Sequence, residues 1–115
     1  MRFDTIIRNG TVATASDTFV CDIGILDGKI ASLSTGLGDA AEIIDATGLF
    51  VLPGGIDSHV HLDQPSGEGV VMADDFESGT RSAVIGGNST VLTFCMQEKG
   101  QTLREALKEY HAKAE

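Results

Sequence analysis

The change of sequence pattern near residue 52 constrains the fold of this chain more than any other feature. Before it, short segments rich in β-branched residues alternate with Gly-containing turn signals, which is typical of short antiparallel strands. At this point an uninterrupted apolar run at residues 49–52 leads into segments that alternate between strand and helix periodicity. An apolar run without alternation favours a strand buried on both faces, as in a parallel sheet. We therefore expect an α/β fold made of two dissimilar parts, residues 1–52 and residues 53–115.

Two dipeptides in the first part predict β-hairpins. Asn9-Gly10 and Asp27-Gly28 both tolerate the positive φ that tight hairpin turns require. The strands that these turns would join are expected at residues 5–8 and 11–13 and at residues 19–26 and 29–33. The first part is thus predicted to be a small antiparallel β layer built from local pairings.

The second part predicts the order strand, helix, strand, helix. The strands are expected at residues 56–62 and 90–95. Asp74 is the expected N-cap of the first helix, with Glu77 completing a capping box, and Gly86-Gly87 is expected to end that helix. This alternation is the beginning of a βαβα pattern, which builds a parallel sheet.

The second predicted helix bears on the completeness of the chain. Thr102 and Glu105 form a capping-box pattern at its start, and its expected inward face consists of Leu103, Ala106, Leu107, Tyr110 and Ala114. No stop signal follows Tyr110, so the helix is expected to continue to Glu115. Two parallel strands do not make a covered sheet, and the 115-residue chain is therefore expected to be truncated within a larger domain.

The charge balance argues against two classes of partner. Eight Lys and Arg against 17 Asp and Glu give a formal net charge of −9, whereas nucleic acids and anionic membranes attract basic patches. Early charged residues argue against a signal peptide, and no apolar run reaches the roughly 18 residues of a membrane span. The distant cysteines Cys21 and Cys95 are predicted to be reduced, packed thiols. We expect a cytoplasmic protein that binds neither nucleic acid nor membrane.

His59 and His61 are the candidate metal ligands. Residues i and i+2 of a strand point to the same face, about 6.5–7 Å apart at Cα, so two imidazoles at this spacing can converge on one ion. Asp57 shares that face, and residues 57–77 carry six acidic and no basic side chains, a field that favours a cation. The alternative is a pair of hydrogen-bonded histidines beside a solvated acidic loop, with Asp57 bonded to backbone. The third histidine, His111, is expected to be an exposed helix residue.

The run LPGGIDSHVH at residues 52–61 closely resembles the first barrel strand of the metal-dependent amidohydrolase superfamily. Residues 73–87 resemble the cyclic amidase branch, the dihydropyrimidinases and hydantoinases. The resemblance extends over essentially the whole chain. It implies that residues 1–52 form the N-terminal part of a β-sandwich domain. It also implies that residues 53–115 form the first two βα units of an incomplete TIM-like (β/α)8 barrel.

The resemblance also implies an activity, which is the hydrolysis of a dihydropyrimidine or hydantoin ring to an N-carbamoyl amino acid by a metal-bridged hydroxide. It implies two divalent metal ions, usually zinc, with His59 and His61 holding the more buried one. The bridging carboxylated lysine and the remaining ligands would lie outside this chain, so the 115 residues alone are expected to be inactive. The alternative is a non-catalytic dihydropyrimidinase-related scaffold protein. Such proteins typically lose metal ligands, and the two histidines kept here favour the enzyme.

The loop after the histidines is implied to shape the substrate pocket. Leu62, Gln64 and Val70 are candidate substrate neighbours, with ordinary loop packing as the alternative. Gln97 stands where the nearest dihydropyrimidinase relatives would carry an acidic residue, which favours a bacterial hydantoinase-like branch. The expected partner is a small cyclic amide or ureide, and the full-length protein is expected to be a homo-oligomer, a tetramer.

Overall fold

The computed structural model describes residues 2–115, which divide into two compact units, one ending at Pro53 and the other spanning Gly54–Glu115. The first unit carries strands only, and the second carries two strands and two helices. In chain order the elements are β1 (Phe3–Ala13), β2 (Thr18–Leu26), β3 (Lys29–Ser34), β4 (Ala40–Asp45), β5 (Phe50–Val51), β6 (Gly55–Val60), α1 (Phe76–Ile85), β7 (Asn88–Thr93) and α2 (Leu103–His111).

The first unit is a five-stranded mixed sheet in which β3, β2, β1 and β4 are neighbours in that order. β1 pairs antiparallel with β2, and β2 pairs antiparallel with β3 across the Asp27-Gly28 turn, so the second predicted hairpin is confirmed. β4 and β5 pair with successive halves of β1, both in parallel. The expectation of a purely antiparallel layer is therefore wrong, because the sheet also uses pairings that are distant in sequence.

The predicted hairpin at Asn9-Gly10 is also wrong, because β1 runs straight through this dipeptide. Asn9 has a φ of 62°, and the register between β1 and β2 shifts between Ile7 and Gly10. This is a β-bulge, which uses the same left-handed backbone as a tight turn. The backbone N–H of Asn9 donates a hydrogen bond to Asp22 Oδ1 at 3.0 Å. The bulge therefore does not leave this backbone donor without a partner.

The core of the first unit lies between β1 and β2. Val12, Cys21 and Ile23 form a buried cluster, and Ile6 is fully buried. Burial, and next the charge of Asp22, raise the pKa of the Cys21 thiol. Cys21 and Cys95 are both free cysteines, as the sequence predicts.

The second unit begins with a β-α-β arrangement. β6 and β7 pair in parallel as a two-stranded sheet, and α1 connects them and packs on β7. The predicted order of strand, helix, strand and helix is confirmed. Within residues 2–115 no helix is long and apolar enough to cross a membrane.

The helix ends differ in part from the predicted ones. The N-cap of α1 is Asp75, whose carboxylate accepts from the Ser78 N–H, and Ser78 rather than Glu77 completes the capping box. The predicted start at Asp74 was therefore wrong by one residue, whereas Gly86 is the C-cap as expected. These hydrogen bonds, first of all the one from the Ser78 backbone, lower the pKa of Asp75.

Helix α2 begins as predicted and ends earlier. Thr102 and Glu105 form the expected capping box, but the helix ends at His111 instead of continuing to Glu115. Ala106 and Tyr110 are buried as expected, whereas Leu103 and Leu107 are 71% and 56% exposed. The inward face of this helix is thus narrower than its apolar pattern predicts.

Candidate metal centre

The two histidines lie at the carboxyl end of β6. His59 is in the strand and His61 follows its last residue, Val60. Phe94 occupies the corresponding position just after β7, and its backbone N–H donates to Val60 O at 3.1 Å. Open α/β sheets bind ligands beyond the carboxyl ends of their parallel strands. The histidine pair is therefore at the end of the sheet where such a fold places chemistry.

The two imidazole rings converge. His59 Nε2 and His61 Nε2 are 3.2 Å apart, and the Phe94 ring packs against both imidazoles. Its centroid lies 4.5 Å from that of His59 and 5.0 Å from that of His61, with the His61 ring nearly parallel to it. Two nitrogens bound to one tetrahedral zinc at 2.0–2.1 Å would be separated by about 3.3–3.4 Å. The separation and the donor type fit a shared divalent ion.

Three of the acidic side chains in residues 57–77 have local hydrogen-bonding partners. Asp57 Oδ1 accepts from the His59 backbone N–H at 3.1 Å. This is the backbone hydrogen bond that the sequence offered as the alternative to a metal-binding role. Asp74 accepts from the Ser78 hydroxyl, and Glu77 pairs with Arg81 at 2.6 Å. Among residues 2–115, no group of three or more His, Cys, Asp or Glu side chains is arranged to hold a metal ion. His111 is exposed on α2, as expected.

The three candidate substrate neighbours occupy different environments. Leu62 is 3% exposed, and its side chain lies against Gly79 of α1, where a Cβ would collide with it. This burial fits the loop-packing alternative. Gln64 contacts His61 directly, since its Oε1 is 2.8 Å from His61 Nδ1. Val70 is 62% exposed in the loop that follows.

Helix α2 and Lys113 just after it anchor the chain that follows the histidines, through contacts that the sequence did not reveal. The hydroxyl of buried Tyr110 donates to Leu62 O at 2.6 Å, and Lys113 Nζ donates to Asp63 O at 2.6 Å. Asp63 has a φ of 44°, in the left-handed region that few residues other than Gly, Asn and Asp adopt. The only signal in the sequence was Tyr110 on the predicted inward face, and nothing indicated what its hydroxyl would bind.

Known proteins resemble this chain over nearly its whole length. It is 51% identical over 110 residues to a D-hydantoinase of Geobacillus stearothermophilus, covering 95% of the chain and 23% of that protein. It is 47% identical over 117 residues to a D-hydantoinase of Streptomyces coelicolor, covering 96% of the chain and 25% of that protein. A crystal structure of D-hydantoinase superposes with a TM-score of 0.90 at 49% identity, covering 96% of the chain and 24% of the other. No family model matches the chain.

With its β-α-β unit and the histidine pair at the carboxyl end of β6, the chain is similar to the N-terminal segment of D-hydantoinases. The chain spans about a quarter of the length of the curated relatives it matches.

Proposed function

We propose that the chain forms the part of a cyclic amide hydrolase that supplies its first two metal ligands. The substrate class is a dihydropyrimidine or hydantoin ring, which is opened to an N-carbamoyl amino acid. The observation that carries the proposal is the 3.2 Å approach of His59 Nε2 to His61 Nε2 at the carboxyl end of β6. The D-hydantoinase names of relatives at 47–51% identity support the reaction class.

The proposed cofactor is a pair of divalent ions, with zinc as the expected metal. Imidazole nitrogen is a preferred zinc ligand, and His59 and His61 would hold one ion through Nε2. When bound, such an ion acidifies water and polarises the attacked carbonyl. The residues of this chain orient the ligands: Phe94 stacks on the His61 ring and packs at a tilt against the His59 ring, and Asp57 accepts a hydrogen bond from the backbone N–H of His59.

The remaining assignments are part of the same proposal. The first unit would be part of a β-sandwich domain, and the second would supply the first two βα units of a (β/α)8 barrel. The loop after the histidines, which carries Leu62, Gln64 and Val70, would border the substrate. The further ligands would come from later strands, so we propose that residues 1–115 alone do not open the ring. The convergent histidine pair favours this enzyme role over a non-catalytic scaffold.

A chimaera tests the proposal. Residues 1–115 would replace the matching segment of the Geobacillus stearothermophilus D-hydantoinase, and both hydantoin hydrolysis and bound zinc would be measured. We expect turnover and about two metal ions per chain, as in binuclear hydrolytic sites. His59→Ala should lower the metal content and reduce turnover to background, whereas the matched control His111→Ala should change neither.

The outcomes separate the parts of the proposal. Unchanged metal content in His59→Ala would contradict the ligand assignment. Equal losses in His59→Ala and His111→Ala would contradict it as well. Hydantoin turnover by the purified 115-residue chain would contradict its proposed inactivity.

A further inference from the structure

Gln64 connects His61 to the neighbouring strand, and its side-chain amide has a defined orientation. Gln64 Nε2 donates a hydrogen bond to the backbone carbonyl of Phe94. A peptide carbonyl only accepts hydrogen bonds, so the amide nitrogen faces Phe94. The amide oxygen therefore faces His61, with Oε1 at 2.8 Å from Nδ1.

This orientation determines which ring nitrogen of His61 carries the proton. The Gln64 Oε1 atom is an acceptor only, and two acceptors 2.8 Å apart would repel each other. Nδ1 must therefore donate. A neutral imidazole has one protonated and one unprotonated nitrogen, so the lone pair of His61 lies on Nε2. That is the atom 3.2 Å from His59 Nε2.

The surrounding loop keeps Gln64 in this place. Its backbone N–H lies 3.2 Å from Met72 Sδ, and the residues before it are held by Tyr110 and Lys113 of the C-terminal segment. The His61 ring is stacked at 8° on the ring of Phe94, whose own carbonyl receives the Gln64 amide. Phe94 thus constrains His61 both through its ring and through Gln64.

We propose that Gln64 is a positioning residue that holds His61 in its Nδ1–H tautomer, with the Nε2 lone pair facing the point shared with His59. Its consequence for metal binding rests on the proposed function, but the tautomer is a property of the chain alone. Metals bind imidazole through an unprotonated nitrogen, and the partner of the other nitrogen selects the tautomer. Gln64 would hold His61 in the tautomer that a metal requires, and in the metal-free chain the His61 Nε2 lone pair accepts a hydrogen bond from His59 Nε2.

Histidine ¹⁵N NMR on the 115-residue chain tests the tautomer directly. Long-range ¹H–¹⁵N correlations distinguish protonated from unprotonated ring nitrogens, at a pH where the imidazoles are neutral. We expect His61 to be protonated at Nδ1 in the parent chain. Gln64→Met removes the acceptor and should shift His61 toward a mixture of tautomers, whereas Gln64→Glu keeps an acceptor and should preserve Nδ1–H.

A zinc titration of the same proteins gives the second readout. Loss of an outer-shell partner typically lowers metal affinity by about 10–100-fold, which is the fall expected for Gln64→Met. Gln97→Met is the matched control, because it makes the same chemical change at a glutamine that bonds Gln101 O instead of an imidazole. It should leave both the tautomer and the affinity unchanged.

The outcomes distinguish this proposal from the proposed function. A parent chain with His61 protonated at Nε2 would overturn it, whether or not Gln64→Met folds. An unchanged tautomer in a folded Gln64→Met would also overturn it. If the tautomer follows Gln64 as expected but no variant binds zinc, the positioning role stands and the metal assignment fails.

Discussion

At the scale of single residues, Asp22 connects two irregular segments of the first unit. Its side chain is 4% exposed, and its carboxylate accepts from the backbone N–H groups of Asn9 and Leu37, each at 3.0 Å. Arg8 Nη2 reaches the carbonyls of Leu37 and Gly38 at 2.9 and 2.7 Å. The bulge in β1 and the loop before β4 therefore depend on one buried carboxylate and its neighbouring guanidinium.

Asp22→Asn is expected to destabilise the first unit by about 1–3 kcal/mol, the typical cost of a buried hydrogen-bonding group without a partner. The amide group replaces one acceptor oxygen with a donor that faces a backbone N–H. Urea unfolding of the chain measures the change in the free energy of unfolding. The exposed Asp39→Asn is the matched control and should change it little. Equal effects of the two substitutions would contradict the structural role of Asp22.

The same carboxylate makes the unit sensitive to acid. The hydrogen bond from the Asn9 backbone lowers the pKa of Asp22, burial opposes it, and the Leu37 bond and the Arg8 charge lower it further. Since the folded pKa lies below the unfolded value of about 3.9, its contribution is complete above that value. It is lost as the pH falls through the folded pKa. The urea stability of Asp22→Asn should therefore decline less in that acid range than that of the parent chain.

Only the part of the site formed by residues close together in the sequence could be predicted. Strand periodicity placed His59 and His61 on one face, and their Nε2 atoms do converge. The bond from Gln64 to Phe94 joins residues 30 positions apart, and that from Tyr110 to Leu62 joins residues 48 apart. Such contacts depend on how β6, β7 and α2 pack, which no local pattern specifies.

At the scale of elements, local signals predicted the positions of most strands and both helices better than the connections between them. Asn9-Gly10 supplies a left-handed residue, but a hairpin turn and a β-bulge need it equally. The β-bulge is favoured here because Asp22, a residue on β2, accepts a hydrogen bond from the backbone N–H of Asn9. The parallel pairings of β4 and β5 with β1 likewise depend on long-range packing.

The N-cap of α1 gives a test at this scale, because two adjacent aspartates compete for it. Asp75 Oδ1 accepts from the Ser78 N–H at 2.8 Å, whereas Asp74 reaches only the Ser78 hydroxyl. Asp75→Ala should lower the folding equilibrium constant of the second unit about fivefold, the usual effect of removing a cap. Asp74→Ala should have a clearly smaller effect. Far-UV circular dichroism during urea unfolding measures both, and the reverse order would place the cap at Asp74.

At the scale of the whole molecule, apolar side chains are exposed in both units. In the first unit Phe50 and Leu52 are 71% and 64% exposed, and in the second Ile56, Ile85 and Val71 are 68%, 83% and 90% exposed. Monomeric soluble proteins rarely expose large contiguous apolar patches. The formal charge of −9 opposes association of like chains by repulsion. The solution state of the chain is thus set by a balance between an apolar attraction and a charge repulsion.

This balance predicts that the purified chain self-associates and that it does so more strongly as salt is added. Salt screens the repulsion between exposed charges, with a Debye length falling from about 30 Å at 0.01 M to about 10 Å at 0.1 M, and leaves apolar contacts intact. Sedimentation velocity at several protein and salt concentrations measures the association. Ile85→Ser removes an exposed apolar side chain from α1 and should weaken association, whereas the exposed Ser82→Ala on the same helix should not. A monomer under every salt condition would show that these faces do not associate, and dissociation on adding salt would show that charge pairing drives assembly instead.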